Sequence, residues 1–307
     1  MLLPFIISAV TAVTYTLNKL LMMYTIPAFI VASRMLIAGS LFLGYHWYKG
    51  RSFKVRQTDQ FLFIQVGFLS FCVSFLAEIW ALQYLSTAKV ALLYNLAPFA
   101  AAAFSYVFFD EKMTIKKFIG LSIGFLGFIP ILIASDINVF DQAPFKLPDL
   151  VMALAAICYT YGWIALRKLT KRRLYTVGFI NGISMIIGGV CSFIVSYAWY
   201  TFAHTTNHTL SAFFPVSDAT SFFALLIPLI AAGNLFSFYW YVRFLQRYTA
   251  TFVTCVDLTG PIFSAFFGWL FLGEKVNVIF FLSCAAVLGG IYMFYQEELR
   301  QGYFEHE

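Results

Sequence analysis

Charge is scarce in this chain. Asp, Glu, Lys and Arg supply 11% of its 307 residues, 61% of positions are apolar, and mean hydropathy is +0.82. A soluble domain carries about 25% charged residues, so the shortage excludes a soluble protein and points to the lipid bilayer. Cysteine is equally uninformative as chemistry. Cys72, Cys158, Cys191, Cys255 and Cys284 fall inside apolar stretches with no CxxC pair. They read as small core hydrophobes, not as disulfides or zinc ligands. The four histidines (His46, His204, His208 and His306) lie in loops or at helix ends, which leaves no His metal cluster and no Ser–His dyad within the span. HExxH, GxSxG and a phosphate-cradling P-loop are all missing. The expectation is a protein that is not an enzyme, holds no metal or other cofactor, and draws on a gradient of substrate or of a coupled proton or ion.

Long apolar runs are what the chain has. A span of roughly 30 Å of hydrocarbon takes about 20 helical residues. Ten stretches qualify: Leu2–Leu21, Pro27–Tyr48, Phe61–Tyr84, Ala88–Phe109, Phe118–Ala134, Leu150–Leu169, Thr176–Tyr200, Phe222–Arg243, Thr249–Leu272 and Val276–Tyr295. The first lacks a basic n-region and reads as a retained helix, not a signal peptide. Basic residues set the orientation. With the N-terminus inside, the inner segments hold Lys49, Arg51, Lys54 and Arg56, then Lys112, Lys116 and Lys117, then Arg167, Lys168, Lys171, Arg172 and Arg173, and finally Arg243, Arg247 and Arg300. That bias predicts cytoplasmic N- and C-termini. It also accounts for the net charge of +6 without a nucleic-acid partner. The longest loops, Ser135–Asp149 and Thr201–Ser221, then face outward, the second with an Asn207-His208-Thr209 sequon.

The chain also repeats itself. Leu82-Gln83, Val90, Pro98, Glu111-Lys112 and Gly127 recur as Leu245-Gln246, Val253, Pro261, Glu274-Lys275 and Gly290, each 163 residues later without a gap. Duplication at half the chain length, with five helices per half, makes the second half enter from the opposite side. The predicted fold is an all-α polytopic membrane protein, with ten transmembrane helices arranged as two inverted five-helix repeats. Residues 1–134 form the first repeat, 135–149 an outer linker, 150–295 the second repeat and 296–307 a cytoplasmic tail. Gly120-x-x-x-Gly124 and Gly178-x-x-x-Gly182 are expected to be packing seams.

Polar groups within the span are the candidates for function, because an ionised side chain at mid-bilayer costs at least about 2.5–3.5 kcal/mol. Asp257 lies about eight residues, hence about 12 Å, into the ninth helix, and its repeat mate is Tyr94. Pro98 and Pro261 follow four residues after each, so each helix is expected to kink and expose the carbonyl of Tyr94 or Asp257, with Gly260 loosening the second kink. Glu78 and Arg34 lie at similar depth. They either neutralise each other as a structural pair or face a cavity and take opposite ends of a zwitterion. Asn95, Asn181 and Asn234 either contact ligand or bond to a neighbouring helix. Asn18 and Lys19 are ambiguous, since Lys19 can snorkel. Trp47, Tyr48, Trp199 and Tyr200 suit an interfacial belt. Trp80, Tyr94, Tyr159, Tyr161, Trp163, Tyr239, Trp240 and Tyr241 are candidates for an aromatic cavity wall that would suit a cation or a flat ring. Asp257 and Glu78 are also the candidates for carrying a coupled proton.

The run Ala81–Ala88, then Leu93-Tyr94-Asn95-Leu96-Ala97-Pro98, Asp110-Glu111-Lys112, Gly120 and Gly127 resembles the drug/metabolite transporter superfamily in its ten-helix EamA-like branch. Phe244–Thr251, Leu258-Thr259-Gly260-Pro261, Leu272-Gly273-Glu274-Lys275 and Gly290 repeat the pattern. The resemblance implies a pseudo-symmetric basket with a substrate cavity between the halves, and structural roles for Glu111 and Glu274. It implies a secondary transporter of a small metabolite, either monomer or homodimer, in a bacterial inner membrane. Charges at Asp257, Glu78 and Arg34 are not general to that family and point to a cationic or zwitterionic, amino-acid-like substrate. The resemblance extends to members in obligate intracellular bacteria that carry S-adenosylmethionine. Its sulfonium, amino acid and flat purine match the acids, the arginine and the aromatics. The alternatives are export of neutral amino acids or drugs and, in another class, a non-transporting scaffold or sensor subunit.

Overall fold

The computed structural model describes residues 2–85, 90, 93–134, 146–203, 213–260, 262–263 and 278–302. Its helices are α1 (Leu2–Leu21), α2 (Pro27–Tyr48), α3 (Gln57–Ala81), α4 (Ala97–Phe109), α5 (Ile115–Ala134), α6 (Leu147–Lys171), α7 (Val177–Ala203), α8 (Ala219–Phe244), α9 (Ala250–Thr259) and α10 (Val278–Arg300). Among them α2, α3, α6, α8 and the stretch Val177–Phe202 are long and apolar enough to cross a membrane. Proline opens α2, α4 and α6 within the first turn, where its missing N–H has no intrahelical partner to lose. Asp218 caps α8, accepting from the Thr220 amide at 3.0 Å. The Ser221 hydroxyl, together with the Thr220 and Ser221 amides, holds its carboxyl below the usual value.

The duplication extends to irregular backbone. α3 widens to a π-helix over Val66–Ser74 and resumes as α over Phe75–Ala81. α8 widens over Ile230–Ser237 and resumes over Phe238–Phe244, the same segments 163 residues on to within one residue. Helix contacts obey a two-fold relation as well. α2 packs on α7, α4 on α9 and α5 on α10, while α1 packs on α8 as α6 does on α3. Mates contacting mates, or exchanging partners, is what a pseudo-two-fold axis between halves requires.

The expected kink at Pro98 is a break instead. Residues 93–94 are helical, Asn95 and Leu96 form a turn, and a new helix starts at Ala97 with Pro98 buried in its first turn. On α9 the ladder tightens to 3-10 geometry over Asp257–Thr259 before Gly260. Pro261, Glu274, Lys275 and the Asn207 sequon lie outside the described residues.

Large apolar side chains such as Phe61, Ile194, Ile227, Leu282 and Tyr292 point outward, whereas Ser74, Thr160, Ser184 and Asn234 are buried. That inside-out distribution suits lipid as the surrounding solvent. Trp47 and Tyr48 are 75% and 80% exposed, as a belt residue would be. The GxxxG seams do bring helices close. A Cβ on Gly290 would lie 2.4 Å from the Gly120 carbonyl oxygen, and one on Gly182 would lie 2.7 Å from Leu43 Cδ2. Gly290→Val is therefore expected to lower the folded yield and melting temperature in detergent, since overpacking costs about 1–3 kcal/mol or more. Gly289→Ala, with nothing within 4 Å, is the control that stays unchanged.

The halves also meet at both ends. Where the basic connections lie, Arg167 pairs with Glu111 at 2.6 Å and Lys117 with Glu298 at 2.8 Å. Thr249 Oγ1 donates to Glu298 Oε2 at 2.6 Å. At the other end Thr25 bridges to Val216, its hydroxyl donating to the Pro215 carbonyl at 2.6 Å.

Candidate functional site

Between the halves lies a cavity of about 90 Å³, lined from α1, α2, α3, α6, α8, α9 and the turn before α4. The irregular backbone described above is what shapes it. The π-helical Ser74 bonds out to the α6 carbonyl of Ala155 at 2.9 Å and lies 3.3 Å from the Tyr94 hydroxyl. Asn95 sits in the turn before Pro98, and Asp257 where α9 tightens. Breaks of this kind are tolerated at membrane depth where they line a cavity.

Of the residues singled out in the sequence, Arg34, Glu78, Tyr94, Asn95, Tyr241, Asp257 and Gly260 all face this one space. Glu78 Oε2 accepts from the Tyr94 hydroxyl at 3.1 Å, and Asp257 Oδ1 accepts from the Tyr241 hydroxyl. Arg34 lies over the Phe75 ring, 4.3 Å from its centroid, and donates through Nη1 to Asn18 Oδ1 at 3.2 Å. No ion pair joins Arg34 to Glu78 among the described residues. Arg34 Nε and Asn95 Nδ2 are buried donors without a partner there. An unmet buried donor costs about 1–3 kcal/mol, and more on a charged group.

Trp80 is the departure. It packs with Tyr84, ring centroids 4.9 Å apart, in a cluster of Ala81, Leu85 and Met152 rather than on the cavity wall. On α3 it lies two positions beyond Glu78, about 200° around the helix at 3.6 residues per turn, so the two cannot share a face. Tyr161 likewise turns away to accept from Gln65 at 3.0 Å. Asn181 donates to the Phe238 carbonyl at 3.1 Å and Asn234 to Met35 Sδ at 3.3 Å, both as interhelical bonds. Sequence reasoning missed Tyr15, Ser8, Thr11 and Thr14, which carry the α1 side of the cavity. The signal was present. Ser8, Thr11, Tyr15 and Asn18 recur at helical spacing as a polar stripe on an otherwise apolar helix.

A chain of rings connects the two acid–phenol pairs, with Trp163 outside the cavity lining. Tyr94 meets Tyr159 at 5.4 Å, Tyr159 meets Trp163 at 5.3 Å, and Trp163 meets Tyr241 at 5.1 Å between centroids. Phe75 and Phe238, repeat mates, contact at 5.9 Å.

A duplicated helical membrane fold enclosing a charged, aromatic cavity at its pseudo-symmetry axis defines a multi-pass membrane transporter. The model of the EamA-like transporter family matches residues 1–133 and 146–296. The chain belongs to that family. It is 29% identical over 293 residues to the S-adenosylmethionine/S-adenosylhomocysteine transporter of Chlamydia muridarum, covering 94% of this chain and 89% of that protein. It is also 29% identical to the protein of the same name in Chlamydia trachomatis serovar L2, over 94% of this chain and 87% of the relative. A solved crystal structure superposes with a TM-score of 0.73 at 16% identity, covering 97% of this chain and 96% of that one. That last likeness bears on the fold alone.

Proposed function

We propose that this protein carries S-adenosylmethionine and S-adenosylhomocysteine across a bacterial inner membrane by alternating access, with both termini cytoplasmic. The observation that carries the reading is the charge set of the cavity: among the described lining residues, Glu78 and Asp257 stand against the single cation Arg34. Formally that leaves one negative charge. S-adenosylmethionine, with a carboxylate, an ammonium and a sulfonium, carries one positive charge. Arg34 takes the carboxylate through its free Nε, Glu78 takes the ammonium, and the wall of Phe75, Tyr159 and Phe238 accepts the purine. The names of the chlamydial relatives support the same substrate.

The two repeats, 1–134 and 150–295, are the moving bodies. The Glu111–Arg167 and Lys117–Glu298 pairs at one end and the Thr25–Val216 bridge at the other break in turn. A thermal-shift screen of the purified protein against amino acids, polyamines, nucleosides and both adenosyl compounds tests the reading. A ligand at 100 times its dissociation constant adds about 2.7 kcal/mol. Shifts with the two adenosyl compounds are expected. A shift with neutral amino acids alone, or none at all, would refute the proposal.

A further inference from the structure

The repeat offset relates the two acid–phenol pairs in an unexpected way. Adding 163 to Glu78 reaches Tyr241, and adding 163 to Tyr94 reaches Asp257. Each half therefore holds one carboxylate accepting from one tyrosine hydroxyl, with the same sixteen-residue separation, but acid and phenol have changed places between halves. The pseudo-two-fold keeps the hydrogen bond and reverses its direction along the chain.

Their surroundings differ in charge. Near Glu78 lies Arg34, held on Phe75 one helical turn before it, so that side of the cavity is formally neutral and suits a zwitterion. Asp257 accepts from Tyr241 of α8. Tyr15, Ser8 and Thr11 from α1, Tyr159 from α6 and Thr254 on α9 line the same space, and Cys255 stands two residues before Asp257. All of these are uncharged side chains at neutral pH. Among the described residues Asp257 makes no ion pair, and Arg34 is the single Lys or Arg that lines the cavity. The phenol rings of Tyr159 and Tyr241 add faces that attract a desolvated cation.

Resting on the substrate reading above, we infer that Asp257, and not Glu78, distinguishes a sulfonium from the neutral thioether. S-adenosylmethionine and S-adenosylhomocysteine share their amino-acid and purine moieties, so contacts with Arg34, Glu78 and the aromatic wall serve both alike. They differ by one methyl group and one positive charge, and Asp257 is the acid with no cation of its own.

The test is equilibrium binding of both compounds to detergent-purified wild type, Asp257→Asn and Glu78→Gln. Asp257→Asn should weaken S-adenosylmethionine at least about 30-fold, the loss expected for a desolvated charge partner, while S-adenosylhomocysteine stays within roughly threefold. Glu78→Gln should weaken both by one common factor. Asp257→Ser, neutral and smaller, repeats the prediction should the Asn variant fail to fold. In wild type, sinefungin, with a charged amine in place of the methylsulfonium, should bind as S-adenosylmethionine does. Equal losses for both compounds in Asp257→Asn, a selective loss in Glu78→Gln, or sinefungin binding no better than S-adenosylhomocysteine would overturn the inference while the substrate reading stands. Wild type that binds neither compound overturns both.

Discussion

Arg34→Met should weaken binding of S-adenosylmethionine and S-adenosylhomocysteine alike, by about 2–5 kcal/mol or roughly 30-fold to several thousand-fold. Arg34 is 4% exposed, and its guanidinium is the one fixed cation among the described residues that line the cavity. Among the described residues, a carboxylate entering that space meets no other charged donor to replace its water. The planar fork also matches a carboxylate bidentately, which Lys does not reproduce, so Arg34→Lys should recover only part of the loss. Isothermal binding measurements on both variants check this, alongside melting temperature without ligand. Methionine fills similar apolar volume over Phe75 but leaves the buried Glu78 without its nearby cation, so the unliganded melting temperature should fall and binding is read on the folded fraction. An Arg34→Met protein that binds both compounds at wild-type strength would remove Arg34 from the site and leave it a structural partner of Asn18.

Arg167→Met should destabilise the protein by about 3–5 kcal/mol, because it strands a buried carboxylate. Arg167 is 2% exposed and Glu111 7%, their atoms 2.6 Å apart, with the guanidinium 4.5 Å from the centroid of Phe109. The pair is not fully satisfied: Glu111 Oε2 and Arg167 Nε and Nη1 have no hydrogen-bond partner among the described residues. Desolvation is thus incompletely offset, and Arg167→Met combined with Glu111→Leu should recover most of the loss, since an apolar pair of similar volume is often neutral or stabilising. Denaturation midpoints of the three variants in one detergent measure the cycle. If the double variant is no better than the single, the pair contributes through something other than its charges. Because it joins the two repeats, the double variant should still bind solute while its rate of transport into vesicles changes. That combination would place the pair in the opening of one end.

Helix positions were legible because they depend on local physics. Leu2–Leu21 and Pro27–Tyr48 begin and end where their apolar runs and flanking turns say they should. The ends of α3, α5, α6, α8 and α10 lie within about five residues of the expected ones, longer mainly where polar residues such as Gln57 and Glu297 extend a helix past the hydrocarbon. Hydropathy reports lipid contact, not hydrogen bonding, so it could not register that α3 and α8 widen to π geometry or that the chain breaks at Asn95. Those features arise where tertiary neighbours, such as Ala155 for Ser74, offer the backbone and its serines other partners.

The sequence by itself determined the membrane class, the duplication, the family and the polar groups that could not face lipid. Burial of charge in hydrocarbon is costly enough to single out Arg34, Glu78 and Asp257 from any position. Which of these groups share a space, and what surrounds each, was decided only by the tertiary structure. Angular position on a helix, not depth, separates Glu78 from Trp80. Packing across the pseudo-two-fold brings Tyr94 to Glu78 and Tyr241 to Asp257. The charge imbalance between the two acids exists only once α2 carries Arg34 to one of them and not the other, a relation between elements far apart in the chain.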